Sequence, residues 1–311
     1  NKRLEGYLVE QGVLSYYETK IYFVIDFEQP FDALKGWRGG SMVNNGNEIT
    51  ENSGPGMGVV VHYDDIAEGD QLQLKVALSI TGTEGAENNM RLELDHWDFD
   101  RVRSDSQRLW NEMLGRIDVE GGTHEEQVKF YTDLFHVLCG RSKISDADGK
   151  YLDNTWGAQR VGQLPLDRAG KPVYNMYNYD ALWLNQWTLN KVLGMAYPDV
   201  YEEFVQSQLR MYQDGGILPR GPSAGNYSFV MTSATAIPFI VSAYNKGIQG
   251  FDIGLAYDAM VDAASVGGLY DKSGYEYRTW DGTGGALEYM TMGYVPYDME
   301  GGQNHNDGAS N

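Results

Sequence analysis

FDRVRSDSQRLWNEMLGRIDVEGGTHEEQVKFYTDLFHVL, residues 99–138, is where the chain changes its hydrophobic period. Before it, apolar residues recur every second position. In KIYFVIDF (20–27), Ile21, Phe23, Ile25 and Phe27 alternate with Tyr22, Val24 and Asp26, and in QLQLKVALSI (71–80), Leu72, Leu74, Val76, Leu78 and Ile80 do the same. Glycine- and asparagine-rich punctuation, WRGGSMVNNGNE and ENSGPGMG, separates such runs and predicts antiparallel strands of a sandwich rather than βαβ units. Within 99–138 the spacing becomes helical. Phe99–Ile117 reads as a connecting helix, and Thr123 opens a second one as a capping box with Glu126, stopped by Gly140. Val128, Tyr131, Phe135 and Leu138 form its apolar stripe.

Working outward, further helices are expected at roughly 176–194, 199–214, 227–247 and 252–265, with no strands of comparable strength among them. The second half therefore reads as helical hairpins packed in layers. Residues 141–175 are loop-rich, with a hairpin expected at SDADGKYLD (145–153). Asp146, Asp148 and Gly149 resemble the opening of a calcium loop but lack the remaining ligands and closing glutamate, so a plain Asp-Gly turn is the stronger reading.

Composition narrows the function classes. A net charge of −20 with no Lys/Arg run would repel a phosphate backbone, so nucleic acid is set aside as a partner. Cys139 is the single cysteine, which rules out an intrachain disulfide. No apolar run approaches the roughly 20 residues that span a bilayer. The 22 Tyr, 7 Trp and 38 Gly suit sugar recognition, in which rings stack on pyranose faces and polar side chains take the hydroxyls; most of them must also serve as core and turns.

Two constellations are candidates for binding. SQLRMYQDGGILPRGPSAGN (207–226) ends an amphipathic helix whose Val200, Phe204, Leu209 and Tyr212 face a core; Gly215 is expected as its left-handed cap. Two prolines then hold Arg220 extended, for a forked contact with sugar hydroxyls or a carboxylate, or as a structural arginine tying loop carbonyls. In YNYDALWLNQWTLNK, Asp180, Trp183 and Trp187 share one helical face, as a sugar subsite or as core. The five histidines show no metal spacing, and Glu276, Asp281 and Glu288 are either rim acids or solvated loop charges. Asn226-Tyr-Ser matches a glycosylation sequon, a pattern that also recurs by chance.

The run 99–138, then SDADGKY, PDVYEEFVQSQLRMYQDGGILPRGP, AYNKGIQGFDIGLAYDAM and GYVP, in colinear order from about Ile21 to Asn311, resembles the glycoside hydrolase family 92 mannosidases. That resemblance implies a β-sandwich followed by all-α structure: part of an N-terminal antiparallel sandwich (1–98), a linker helix (99–122) and the first part of an (α/α)6 barrel (123–311). It further implies a secreted or periplasmic, calcium-dependent exo-α-mannosidase that inverts the anomeric centre of mannose-containing glycans. Asp180, Trp183, Trp187 and Arg220 are the expected substrate-binding residues, and Asp180 and Arg220 are expected to line one pocket. The family's acid, base and most calcium ligands are expected beyond Asn311, so none is assigned here, and this stretch alone is not expected to hydrolyse. Two positions depart from the family: Leu184 follows Trp183 where many members carry aspartate, and Thr235 stands where many carry histidine. An (α/α)6 glycosidase for another α-linked sugar, or a non-catalytic glycan-binding relative, are the alternatives.

Overall fold

The structure is a computed structural model that describes residues 2–11, 18–43, 56–140, 142–178, 182, 185–228, 234–269 and 286–294. Its first part is all antiparallel. Strands β1 (Arg3–Gln11), β2 (Glu18–Phe27) and β6 (Leu74–Ser79) form one sheet in the order β1-β2-β6. Strands β3 (Ala33–Arg38), β4 (Ser41–Val43) and β5 (Met57–His62) form another in the order β4-β3-β5. The period-two reading holds for β6, but its buried face is the opposite one. In β6 it is Lys75, Ala77 and Ser79 that are buried, while Leu74, Val76 and Leu78 are exposed. The cause is helix α1 (Thr83–Glu93), which lies on that face and packs Ala86 and Met90 against Val24 and Ala77. Small residues admit the helix closely, and Lys75 snorkels past it, its amine reaching the Leu94 carbonyl at 3.1 Å and the Trp97 ring at 4.4 Å.

The second part is helical in layers. Helices α2 (Phe99–Leu114) and α3 (His124–Cys139) follow the sequence reading, and the capping box of Thr123 and Glu126 is formed in both directions. Their apolar stripe is only partly covered. Val128 and Phe135 stay exposed beside Trp110, whose ring lies 4.6 Å from that of Phe135, and Leu134 is the buried anchor of α3. Beyond α3 come the short strands β7 (Ser142–Lys143), β8 (Lys150–Asp153), β9 (Arg160–Gln163) and β10 (Tyr177–Asn178), paired as β7 with β10 and β8 with β9. The Asp-Gly turn is present: the Gly149 N–H donates to the Asp146 carbonyl at 2.9 Å and the Asp146 N–H to Lys150 at 2.8 Å.

Helices α4 (Leu189–Ala196), α5 (Pro198–Gly215), α6 (Ala236–Asn245), α7 (Ile253–Ala264) and α8 (Ala286–Met292) complete the described elements. Helix α5 is the spine. Proline at its first position needs no N–H partner there, and Tyr201, Phe204, Val205 and Leu209 bury one face among α4, α6 and α7. The Tyr201 hydroxyl donates to the Phe239 carbonyl at 2.8 Å, and Phe204 stacks on Tyr177 with centroids 4.3 Å apart.

Three helical expectations are corrected. The helix foreseen from 176 begins instead as β10, and α4 starts only at Leu189, because Tyr177 is drawn into the core against Phe204 while its N–H is taken by Ser207. The helix foreseen from 227 begins at Ala236, because Asn226–Ser228 is strand β12, paired with β11 (Gly221–Ser223). Gly215 is the last residue of α5 rather than its left-handed cap; Gly216, at φ 84°, is that cap.

Candidate substrate-binding site

The end of α5 sets the geometry. After Gly216 the chain turns, buries Ile217 and Leu218, passes Pro219 and Arg220, and folds into the β11–β12 hairpin. The hairpin tip, Ala224 at φ 47° and Gly225 at φ 77°, places both central residues in the left-handed region, as a tight two-residue turn requires. The tip is held from two sides. The Ala224 N–H donates to the Asn178 side chain at 2.8 Å, and the Gly225 carbonyl accepts from the Asn154 N–H at 3.1 Å. Gly225 sits so close to β8 that a Cβ there would come within 2.1 Å of the Leu152 carbonyl oxygen. Residues 152–156, 178 and 217–228 are thereby gathered into one region.

Several buried side chains in this region and on α4–α6 are polar. Arg220 is 0% exposed, and Asn154 and Asn226 are buried with it; Gln208 is buried on α5, and Asn185, Asn190 and Thr235 are buried at the starts of α4 and α6. Among the described residues, neither polar atom of the Asn154, Asn190 and Gln208 side chains has a hydrogen-bond partner, nor has the Thr235 hydroxyl. Each such group costs about 1–3 kcal/mol if left dry, so each is a candidate to pair with water or a polar ligand. Amides and hydroxyls both donate and accept, which is the pairing a polyhydroxylated ligand needs.

The surround is rigid. Arg160 grips the buried Asp153 carboxylate through Nε at 2.8 Å and Nη2 at 2.5 Å, and Thr155 N–H donates to its other oxygen at 3.0 Å. Trp156, at φ 55°, donates its indole N–H to the Gly215 carbonyl at 2.8 Å and sets its ring edge-on to Tyr227 at 5.1 Å. The Tyr151 hydroxyl donates to Asp214 at 2.6 Å, with Arg210 3.0 Å from the second Asp214 oxygen. Burial raises the Tyr151 and Tyr227 phenols above their ordinary range, and the Asp214 hydrogen bond adds to this for Tyr151. Both remain protonated donors near neutral pH.

The expected site residues fall out differently. Asp180 and Trp183 lie outside the described residues, as do Leu184, Glu276 and Asp281. Trp187 is 66% exposed in the turn before α4, whereas Arg220 is fully buried. Asn226 is buried and its side chain accepts the Tyr227 N–H at 2.8 Å, so the sequon is closed to modification in the folded chain. Asn154, Asn190 and Gln208 were not foreseen. Gln208 carried a signal, a lone polar residue beside Phe204, Val205 and Leu209; the two asparagines carried none.

Among the described residues, Asp146 and Asp148 do not fit calcium. Both Asp146 oxygens accept from Ser79, Thr81 and Asn89, and Asp148 pairs with Lys150 at 3.2 Å. Among the described residues no group of three His, Cys, Asp or Glu could hold a metal ion, and no helix is long and apolar enough to cross a membrane.

Comparison with known proteins supplies the context. The chain matches the Glycosyl hydrolase family 92 catalytic domain over residues 85–311 and the family's N-terminal domain over residues 1–79. A secreted glycosidase of Arthroderma benhamiae is 25% identical over 239 residues, which are 74% of this chain and 24% of the relative. An inverting family GH92 mannosidase of Bacteroides thetaiotaomicron superposes with a TM-score of 0.77 at 22% identity, over 95% of this chain and 37% of that structure. A second GH92 α-mannosidase from that bacterium gives 0.74 at 23% identity over the same shares, and has also been solved with mannoimidazole. The chain thus spans between 24% and 37% of the length of these relatives. The likeness bears out the expected order of an antiparallel sheet region followed by a helical one.

Proposed function

Because this chain belongs to glycosyl hydrolase family 92, we propose that its parent protein is a secreted glycoside hydrolase, an exo-acting α-mannosidase that trims mannose from glycans with inversion. The observation that carries the binding half of this reading is the burial of Arg220, Asn154 and Asn226 around the junction of β8 with the β11–β12 hairpin. Arg220, fully buried there, would bring its planar guanidinium to neighbouring hydroxyls of one sugar. Amides on either side discriminate by pairing or failing to pair with each hydroxyl. Asp180 and Trp183 would complete that pocket, and the open indole of Trp187 would stack on a sugar further along the chain. The helical layers would then be the first part of an (α/α)6 barrel.

The acid and base of an inverting pair stand roughly 6.5–9.5 Å apart to admit a water. No residue described here is assigned either role. Calcium dependence is expected from the family, though Asp146 and Asp148 do not supply its ligands.

Full-length protein incubated with α-linked mannosides, with calcium and after chelation, should release mannose, losing activity on chelation. Absence of hydrolysis on every linkage together with absence of mannoside binding would overturn the proposal. Binding without hydrolysis would mean a glycan-binding relative. The Thr235 hydroxyl, buried where the family usually has histidine, favours a second reading in which another α-linked sugar is preferred; a glycan panel ignoring mannose would select it. Within the mannosidase reading, Arg220→Lys should lower kcat/KM at least about tenfold, roughly 1.4 kcal/mol, because a point charge replaces the fork. An unchanged kcat/KM would remove Arg220 from the site.

A further inference from the structure

We infer that Asp146 fastens the N-terminal sheet and its helix α1 to the strand that leads into the polar site, by setting its carboxylate against the first turn of α1 from a distant part of the chain. Its carboxylate is 3% exposed. One oxygen accepts from Ser79 Oγ at 2.9 Å and from Thr81 Oγ1; the other accepts from Asn89 Nδ2 at 2.7 Å. The Asn89 amide closes the link by accepting the Ala147 N–H at 2.8 Å and donating to the Leu78 carbonyl at 2.9 Å. Every side chain that donates to the carboxylate lies in β6, α1 or the turn between them.

The position of the carboxylate explains an oddity of α1. The N-cap position of the helix is Gly82, so it has no side-chain cap of its own. Asp146 brings a negative charge against its first turn, where the helix dipole favours one. Gly85 makes room: a Cβ there would lie 2.6 Å from Asp146 Oδ2 and 2.5 Å from both hydroxyl oxygens. Glycine inside a helix ordinarily costs roughly 0.5–1 kcal/mol relative to alanine. Here it is what lets the carboxylate in.

The other end of the link reaches the site. The Asp146 N–H is bonded to Lys150, the first residue of β8, and β8 leads without interruption to Asp153 and Asn154, whose N–H holds the hairpin tip at Gly225. Displacing Asp146 therefore shifts the strand that presents Asn154 and supports the loop carrying Arg220.

The inference goes beyond the proposed hydrolysis and is tested without it, by amide hydrogen exchange on the full-length protein. Asp146→Ala, and independently Ser79→Ala, should speed exchange in both α1 and the 221–228 hairpin by at least about tenfold. Asp146→Asn, which keeps an acceptor for Asn89, should give a smaller change and serves if the alanine variant does not fold. Gly85→Ala is the sharpest arm. If Asp146 acts as stated, this normally stabilising change speeds exchange in the hairpin, in a different part of the chain. Slower exchange in α1 with an unaltered hairpin would overturn the inference, as would Ser79→Ala changing α1 alone.

Discussion

Gly225→Ala should destabilise the fold by about 2–5 kcal/mol, and the sum can be worked from two observations. Its φ of 77° is left-handed, which costs a residue with a Cβ roughly 1–2 kcal/mol. The new Cβ would also overlap the Leu152 carbonyl oxygen at 2.1 Å, a backbone atom of a paired strand, so the hairpin tip must retreat. Retreat breaks the bond from the Asn154 N–H to the Gly225 carbonyl and leaves a buried donor unmet, another 1–3 kcal/mol. Ala224→Gly, one residue earlier at φ 47° and free of any such overlap, relieves the same backbone strain and should be neutral or stabilising by up to about 1 kcal/mol. Denaturant unfolding of both variants in the full-length protein, compared at equal m-value, separates them. If Gly225→Ala costs under about 0.5 kcal/mol, the close approach of the hairpin to β8 is wrong, and with it the enclosure of Asn154.

Three further outcomes are expected. Gln208→Leu removes two unpartnered buried polar atoms without losing volume, so it should raise stability by about 1–2 kcal/mol while weakening mannoside binding at least about tenfold; calorimetry that shows destabilisation would mean the amide is paired in the folded protein. Protein secreted from a glycosylating host should carry no glycan at Asn226, which intact peptide mass spectrometry would report directly. The Arg116 guanidinium, 2.6 Å from Asp199, holds that carboxyl below its ordinary range, so the pair adds stability above the usual carboxylate pKa and loses it as pH falls through the lowered value. The pair is largely exposed, so Asp199→Asn should change stability by less than about 1 kcal/mol at neutral pH and flatten the acid limb of the profile.

What the sequence made legible follows from which forces are local. The capping box at Thr123, the turn at Asp146–Gly149 and the run of α5 depend on residues a few positions apart, and all are present. The facing of β6 was misjudged because alternation reports two chemically different sides without saying which one a helix will cover; small Ala77 and Ala86 decided that. The helix expected from 176 failed for a tertiary reason, the pull of Tyr177 into contact with Phe204. Arg220 was singled out from its proline frame and is fully buried, yet the buried Asn154 and Asn190 were invisible, since an asparagine in a loop or at a helix start looks like an ordinary turn residue until the chain folds around it.

The outward side of the β1-β2-β6 sheet has a practical consequence. Leu8, Leu74, Val76 and Leu78 stand exposed there in the two strands that flank β2, a greasy wall on a molecule that otherwise carries a charge of −20. Colloidally the two features oppose each other. At low ionic strength mutual repulsion keeps copies apart before those leucines can meet, whereas at physiological salt the repulsion fades within about 8 Å and the wall is left to act at contact. Salt, the usual remedy for a sticky preparation, would therefore be the wrong one for this polypeptide handled alone; a dilute, low-salt buffer is the condition its surface favours.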